Sequence, residues 1–253
     1  MLRRILSKFV SSQVKLSKSF DQLLPAQMSI DGNRDFIGSL VPKYLAHGQT
    51  IYDIGGGKNP YLAVSEKERL NARVIGIDID ESELTHAPQY AYDAYEVADI
   101  ADFMGAADAD LVICQATLEH VQNVAGAFSA IASILKINGK ALIFVPSRNA
   151  VFARLNLILP QRLKEKILYT VFPHTERDQG FVAFYDQCTP KQFRKLAGLS
   201  NMRVVEERVY YKSSYFSFFF PLYFLWRLWT LIGRAIWKEQ AAETFCMVLE
   251  KQK

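Results

Sequence analysis

Three carboxylates, three adjacent glycines and two histidines carry the chemistry open to this chain. Asp53 stands two positions before Gly55, the first glycine of Gly55-Gly56-Gly57 in a chain that has only 13. Glycine inside a helix or strand costs stability, so the cluster marks backbone that bends sharply or approaches a ligand closely. Asp78 follows roughly 20 residues after the turn, where nucleotide-binding folds place the acid that meets the ribose hydroxyls. A dinucleotide site needs G-x-G-x-x-G, but Pro60 occupies the place of the last glycine. A carboxylate at position 53 repels a pyrophosphate and suits a ligand bearing an ammonium and a sulfonium. Those charges on a nucleoside describe S-adenosylmethionine. His120 and His174 are the candidate bases for taking a proton from an acceptor, histidine being the natural base near neutral pH. His174 shares a polar stretch with Glu176, Asp178 and Tyr185. Each histidine also has a plainer reading as a locally bonded structural residue, and the sequence does not separate the two. His47 precedes the first strand and His86 follows the second, so neither has a claim as base. No cluster of His, Asp and Glu has ligand spacing, so no metal is expected.

Around these residues the pattern is strand, turn, helix, strand. Ile51 to Ile54 is a short buried-strand run, Gly55 to Asn59 a tight turn, Tyr61 to about Asn71 a run of helix formers, and "ARVIGIDID" a second strand. Such a unit offers unpaired backbone N–H groups at a helix start to an anionic group of a ligand.

With these elements in place the chain resembles class I S-adenosylmethionine-dependent methyltransferases. The first motif of that family is an acid followed by x-G-x-G-x-G, matched by Asp53, Gly55 and Gly57, with Asn59 in place of the third glycine. Asp78 matches the ribose-binding acid, and Ile79 the apolar residue that packs on the adenine. In "YEVADIADF", Asp99 matches the acid that meets the adenine amino group, with Ile100 beside it. Asp110 to Cys114 match the fourth strand, and Gln115 lies where the chain passes the cofactor. Leu118-Glu119-His120-Val121 is a tetrapeptide frequent in the superfamily. "AFSAIASILKINGKALIFVPS" then reads as a helix, a turn at Asn138-Gly139 and the fifth strand. The likeness covers about residues 40 to 147. It implies an α/β fold, a Rossmann-like seven-stranded mostly parallel sheet with helices on both faces. "SNMRVVEERVYY" and "AETFCMVLEK" would be the last two strands, paired antiparallel.

Two segments lie outside that pattern. Residues 146–188 leave the fifth strand on the side where open α/β sheets bind ligands, and so form an insertion expected to shape the acceptor pocket. Between the last two strands, residues 213–238 hold all three tryptophans, Trp226, Trp229 and Trp237. Tyr223, Arg227, Thr230, Arg234 and Lys238 form one polar stripe there, opposite apolar and aromatic residues. That pattern suits an interfacial helix on an anionic membrane surface, or else a core or oligomer-interface helix. A single span is excluded by topology, because it would put two strands of one sheet on opposite sides of a bilayer. Residues 1–30 form a basic amphipathic segment ahead of a methyltransferase domain over 31–253. It reads as a surface helix, a membrane-surface helix or, in a eukaryote, a mitochondrial presequence.

A net charge of +4 is too weak to indicate nucleic acid, and Cys114, Cys188 and Cys246 share no disulfide or zinc spacing. The expected location is cytoplasmic and peripheral on the inner membrane, or mitochondrial in a eukaryote. "FVPSRNAVFARLNL" and "GFVAFYDQCTP" are similar to bacterial methyltransferases of polysaccharide and O-antigen assembly, which implies a lipid-linked sugar hydroxyl as acceptor. A small quinone or isoprenoid acceptor, implied by the Leu118-to-Val121 tetrapeptide, is the second choice. A membrane-associated scaffold that keeps the cofactor fold without catalysis is the third.

Overall fold

Both faces of the strand before the glycines are apolar, as a central parallel strand requires. Ile51 packs with Phe36, Leu40 and Leu62 on one side, while Tyr52 and Ile54 pack with Ile77, Val112 and Phe128 on the other. A computed structural model describes residues 2–159, 182–213 and 216–253, with backbone alone for 2–6. Its strands are β1 (Thr50–Ile54), β2 (Arg73–Asp78), β3 (Ala94–Val97), β4 (Ala109–Gln115), β5 (Leu135–Pro146), β6 (Met202–Tyr210) and β7 (Thr244–Lys251). They form one sheet in the order β3-β2-β1-β4-β5-β7-β6. β7 runs antiparallel to β5 and β6, and the other pairs are parallel. This is the Rossmann-like methyltransferase sheet expected from the sequence. The chain reverses its direction of travel across the sheet between β1 and β4, the point at which such sheets open a crevice for ligands.

The helices are α1 (Leu2–Asp21), α2 (Gly32–Asp35), α3 (Val64–Leu70), α4 (Glu81–Thr85), α5 (Val124–Ile134), α6 (Val151–Ile158), α7 (Pro190–Leu199) and α8 (Phe220–Trp237). α7 begins as its sequence dictates, with Thr189 Oγ1 accepting the Gln192 N–H at 3.3 Å and Pro190 in the first turn. Two elements differ from expectation. α3 starts at Val64 rather than Tyr61, because the Tyr61 N–H is drawn back to Asp53 Oδ2 at 2.7 Å. Asn138 is left-handed, with φ 66°, as a turn residue would be, but pairing with β4 continues on both sides of it. Ala109 faces Leu135 and Leu111 faces Lys140, so the intervening residues are a bulge inside β5.

α8 is turned inside out relative to an ordinary surface helix. Tyr223, Arg227 and Thr230 are buried, whereas Leu225 is 63% exposed, Ile232 51% and Ile236 62%. Of the polar stripe foreseen in the sequence, Tyr223, Arg227 and Thr230 face the protein, Arg234 is half-buried and Lys238 is exposed. The stripe's partners come from the N-terminal segment. The Tyr223 hydroxyl donates to Asp21 Oδ2 at 2.7 Å, and Arg227 donates to the Met28 and Tyr211 carbonyls, both at 2.6 Å. Arg227 Nε lies 3.0 Å from Asp21 Oδ1 as a charge pair, although neither atom has an aligned hydrogen bond. Phe20 of α1 packs edge-on against Phe220 and Phe224. Among the described residues no helix is long and apolar enough to cross a membrane.

Removing one member of a buried ion pair strands the other, so Arg227→Ala should cost about 3–5 kcal/mol in urea unfolding. Replacing both Arg227 and Asp21 by leucine should recover most of that loss. A loss near zero in the single variant would show that α1 and α8 are not clamped in this way.

Candidate active site

The turn after β1 is built around one carboxylate. Asp53 is 4% exposed, and a Cβ on Gly56 would overlap its side chain. Gly55 and Gly57 have φ of 72° and 49°, the left-handed region that glycine tolerates. The Gly55 N–H is already bonded to the Ile77 carbonyl at 2.7 Å, so the turn does not present it to an anion as the sequence pattern suggested. Burial raises the Asp53 carboxyl from 3.8 to about 6, only partly offset by the Tyr61 N–H and the Tyr92 hydroxyl, with Asp78 adding repulsion. Among the described residues no positive group offsets the burial, so the site favours a cationic ligand.

The other acids rise around the same crevice. Asp78 ends β2 and accepts the Asp80 N–H at 3.0 Å; burial, with a contribution from Glu83, raises its carboxyl. A Cβ on Gly57 would lie 3.2 Å from Asp78 Oδ2, tighter than ordinary contact, so the turn can come this near the acid only with glycine there. Asp99 is exposed and closes its own turn by accepting the Ala101 N–H at 2.9 Å. Ile79 is exposed and Ile100 buried.

A cleft of about 620 Å³ brings together Gly55, Asp78, Ile79, Asp99, Ile100 and His120. Asp53 and Gly57 shape the turn without lining the cleft. Gln115 does not line it either, because its amide donates to Asn33 Oδ1 at 2.7 Å. Sequence reasoning passed over Gly56 and Thr117. Thr117 Oγ1 donates to the Ile54 carbonyl at 3.1 Å, tying the ends of β1 and β4 together, and a Cβ on Gly55 would overlap it. Its place directly before Leu118 was the available signal.

The returning end of the insertion lies over this cleft, where Val182 and Phe184 join its lining. The Phe184 and Tyr185 N–H groups both donate to the Glu119 carbonyl, at 2.8 and 2.9 Å, and the Val124 N–H donates to Asp186 Oδ2 at 3.1 Å. Tyr185 points into the core instead of the cleft. His120 Nδ1 is 3.1 Å from the Val182 carbonyl, and its Nε2 is 3.9 Å from Glu119 Oε1. Burial raises the Glu119 carboxyl to about 8. His174, Glu176 and Asp178 lie outside the described residues. Among the described residues no three His, Cys, Asp or Glu side chains gather as metal ligands.

The family model described as a methyltransferase domain matches residues 52–143, the span from β1 to β5. Residues 52–143 are a methyltransferase domain. The enzyme is an S-adenosylmethionine-dependent methyltransferase, and the acid-lined cleft fits that cationic cofactor. The methyltransferase is 27% identical over 161 residues to the ubiquinone biosynthesis O-methyltransferase of Photobacterium profundum, covering 60% of this chain and 67% of that one. In fold it is similar to an S-adenosylmethionine-dependent methyltransferase from Mesorhizobium loti, with TM-score 0.53 and 16% identity over 82% of this chain and 93% of that one. It is also similar to the [4+2]-cyclase SpnF, with TM-score 0.54 and 14% identity over 89% and 86%. Likeness at that identity concerns the fold and leaves the reaction to the site.

Asp53 sets a pH dependence whose two signs can be told apart. Without cofactor, folded Asp53 keeps its proton up to about 6 against 3.8 ordinarily, so its contribution to stability is lost as pH rises through that window. Cofactor binding runs the other way, because a cation prefers the ionised carboxylate. Calorimetric titration should show affinity level above pH 6 and falling several-fold by about pH 5. Affinity independent of pH over that range would remove Asp53 from cofactor binding.

Proposed function

We propose that this methyltransferase transfers the methyl group of S-adenosylmethionine to a hydroxyl oxygen of a membrane-borne acceptor, a phenolic ring on an isoprenoid chain. The orientation of α8 carries the membrane part of this reading. A helix that buries tyrosine, arginine and threonine while exposing Leu225, Trp229, Ile232 and Ile236 on one side needs an apolar environment outside. Lys8, Lys15 and Lys18 of the adjoining α1 are exposed and suit anionic headgroups. The phenolic acceptor draws on the relative named for ubiquinone biosynthesis. A lipid-linked sugar hydroxyl, the first choice on sequence, has no comparable support and becomes the other arm of the test. A non-catalytic scaffold has no need of the cofactor cleft.

When bound, the cofactor supplies a methyl group activated by its sulfonium. We assign Asp78 to the ribose hydroxyls, Asp99 to the adenine amino group, and Ile79 and Ile100 to the faces of the ring. Gly55 and Gly57 let the turn approach the ligand, and Asp53 beneath them contributes negative potential rather than contact. Gln115 supports the cleft through Asn33. In-line displacement at a methyl group gains most from alignment, which Val182 and Phe184 promote by narrowing the acceptor side. His120 takes the acceptor proton. With Nδ1–H donated to the Val182 carbonyl, Nε2 is the basic nitrogen. With the cofactor held there, the acceptor oxygen would receive its methyl group and His120 Nε2 would hold the acceptor proton.

With methyl-labelled cofactor and anionic vesicles holding either a prenylated catechol or a lipid-linked sugar, label should enter the catechol. Label in the sugar alone would overturn the phenolic reading. His120→Ala should lower kcat by about 10²-fold or more while cofactor affinity changes by less than about threefold. Unchanged turnover would reject the base. Changing Leu225, Ile232 and Ile236 together to glutamate should abolish co-sedimentation with anionic vesicles, since none of them is buried. Trp226, although aromatic, is buried and would report only on folding. Undiminished sedimentation of the triple variant would reject membrane docking through α8.

A further inference from the structure

A second hollow lies between α6, α8 and the residues leading into β7. This groove measures about 850 Å³ and shares no lining residue with the cofactor cleft. Leu155, Ile158, Leu222, Trp229 and Trp237 make its walls apolar. Ile158, Trp229 and Trp237 are also exposed, so the groove opens on the apolar face of the molecule.

Among the described residues, Glu243 and Gln240, which both line this groove, each carry one buried polar atom without a partner. Glu243 is 2% exposed; its Oε1 accepts the Trp226 indole N–H at 3.2 Å, while its Oε2 accepts nothing. Burial raises the Glu243 carboxyl to about 7, offset only in part by the Trp226 indole, the Val151 N–H and Arg227, and no aligned hydrogen bond reaches Oε2. Gln240 Nε2 is buried and likewise unpaired. Buried polar atoms are paired in nearly all folded proteins, so an unpaired acceptor and an unpaired donor in one apolar groove call for a ligand.

We propose that the groove binds a single-chain lipid with a hydroxyl head, a long-chain or isoprenoid alcohol, whose hydroxyl donates to Glu243 Oε2 and accepts from Gln240 Nε2. A hydroxyl both donates and accepts, which is the pair of functions these two atoms leave open. Near pH 8, where Glu243 is ionised, a carboxylate or phosphate would be repelled, and an ammonium would leave the Gln240 N–H unpaired. The chain lies along Trp229, Trp237 and Leu222, entering from the face that the membrane reading places in lipid. Binding itself requires neither methyl transfer nor a vesicle.

All three tryptophans of the chain line this groove, so intrinsic tryptophan fluorescence reports on it directly. The purified full chain, free of cofactor and vesicles, is titrated near pH 8 with bromododecanol, whose bromine quenches indole, and with bromododecane as the hydroxyl-free control. Saturable quenching is expected, with the alcohol bound about tenfold more tightly than the bromoalkane. Gln240→Leu and Glu243→Leu should each remove that preference while leaving the chain contact. Should Glu243→Leu fail to fold, Gln240→Leu decides, because that side chain lies partly at the surface. Absent saturable quenching, equal binding of the two probes, or an alcohol preference kept in Gln240→Leu would overturn the proposal. Quenching seen only with vesicles and lost in the Leu225, Ile232 and Ile236 triple variant would also overturn it, being surface docking alone.

Discussion

A carboxylate kept out of water beneath three glycines is costly, and the geometry of the cofactor cleft follows from accommodating it. Asp53 draws in the Tyr61 N–H, which delays the start of α3 and leaves the turn long enough to reach toward Asp78. Gly56 must lack a side chain for the carboxylate to fit, and Gly55 must lack one for Thr117 to tie β1 to β4. The resulting crevice is lined by Asp78, Asp99 and Asp102, and no lysine or arginine among the described residues lines it. A cationic ligand relieves that arrangement when it binds.

A comparable constraint governs the other end of the molecule. α8 directs its polar residues at the N-terminal segment, through Tyr223 to Asp21 and Arg227 to the Met28 carbonyl, and so has apolar residues left for its outer surface. The insertion after β5 links the two regions. Its first helix, α6, walls the apolar groove, and its returning end, pinned to the Glu119 carbonyl, narrows the cofactor cleft. A lipid-bearing acceptor held at the outer face would therefore meet the reacting centre from the side where the chain has added structure to the sheet.

What could be read in the sequence was what depends on neighbours along the chain. Ile51 to Ile54, the glycines and "ARVIGIDID" declare a strand, a turn and a strand by local pattern, and Thr189-Pro190 declares a helix start. Asp78 stands out by its distance from the glycine turn, and Asp99 and Ile100 by likeness to the family's motif; all three line the cleft. Contacts between distant residues were not legible. The stripe of Tyr223, Arg227 and Thr230 was visible, but its direction depends on Asp21 and Met28, which no periodicity reveals. Gln115 sits at the right strand end and is turned aside by Asn33 of α2. Gly56 and Thr117 matter because of what their neighbours in space would strike, and Asn138 became a bulge because β4 continues to pair beyond it.

The most direct measurement compares the wild type with Asp53→Asn in the absence and presence of S-adenosylmethionine. Near pH 8 the variant removes a charge that folding desolvates, so the cofactor-free protein should melt at the same or a higher temperature. Its affinity for S-adenosylmethionine should fall by about tenfold or more, since the potential that favours a cation is gone. A variant that binds the cofactor as well as the wild type, at unchanged stability, would contradict the account of the cleft.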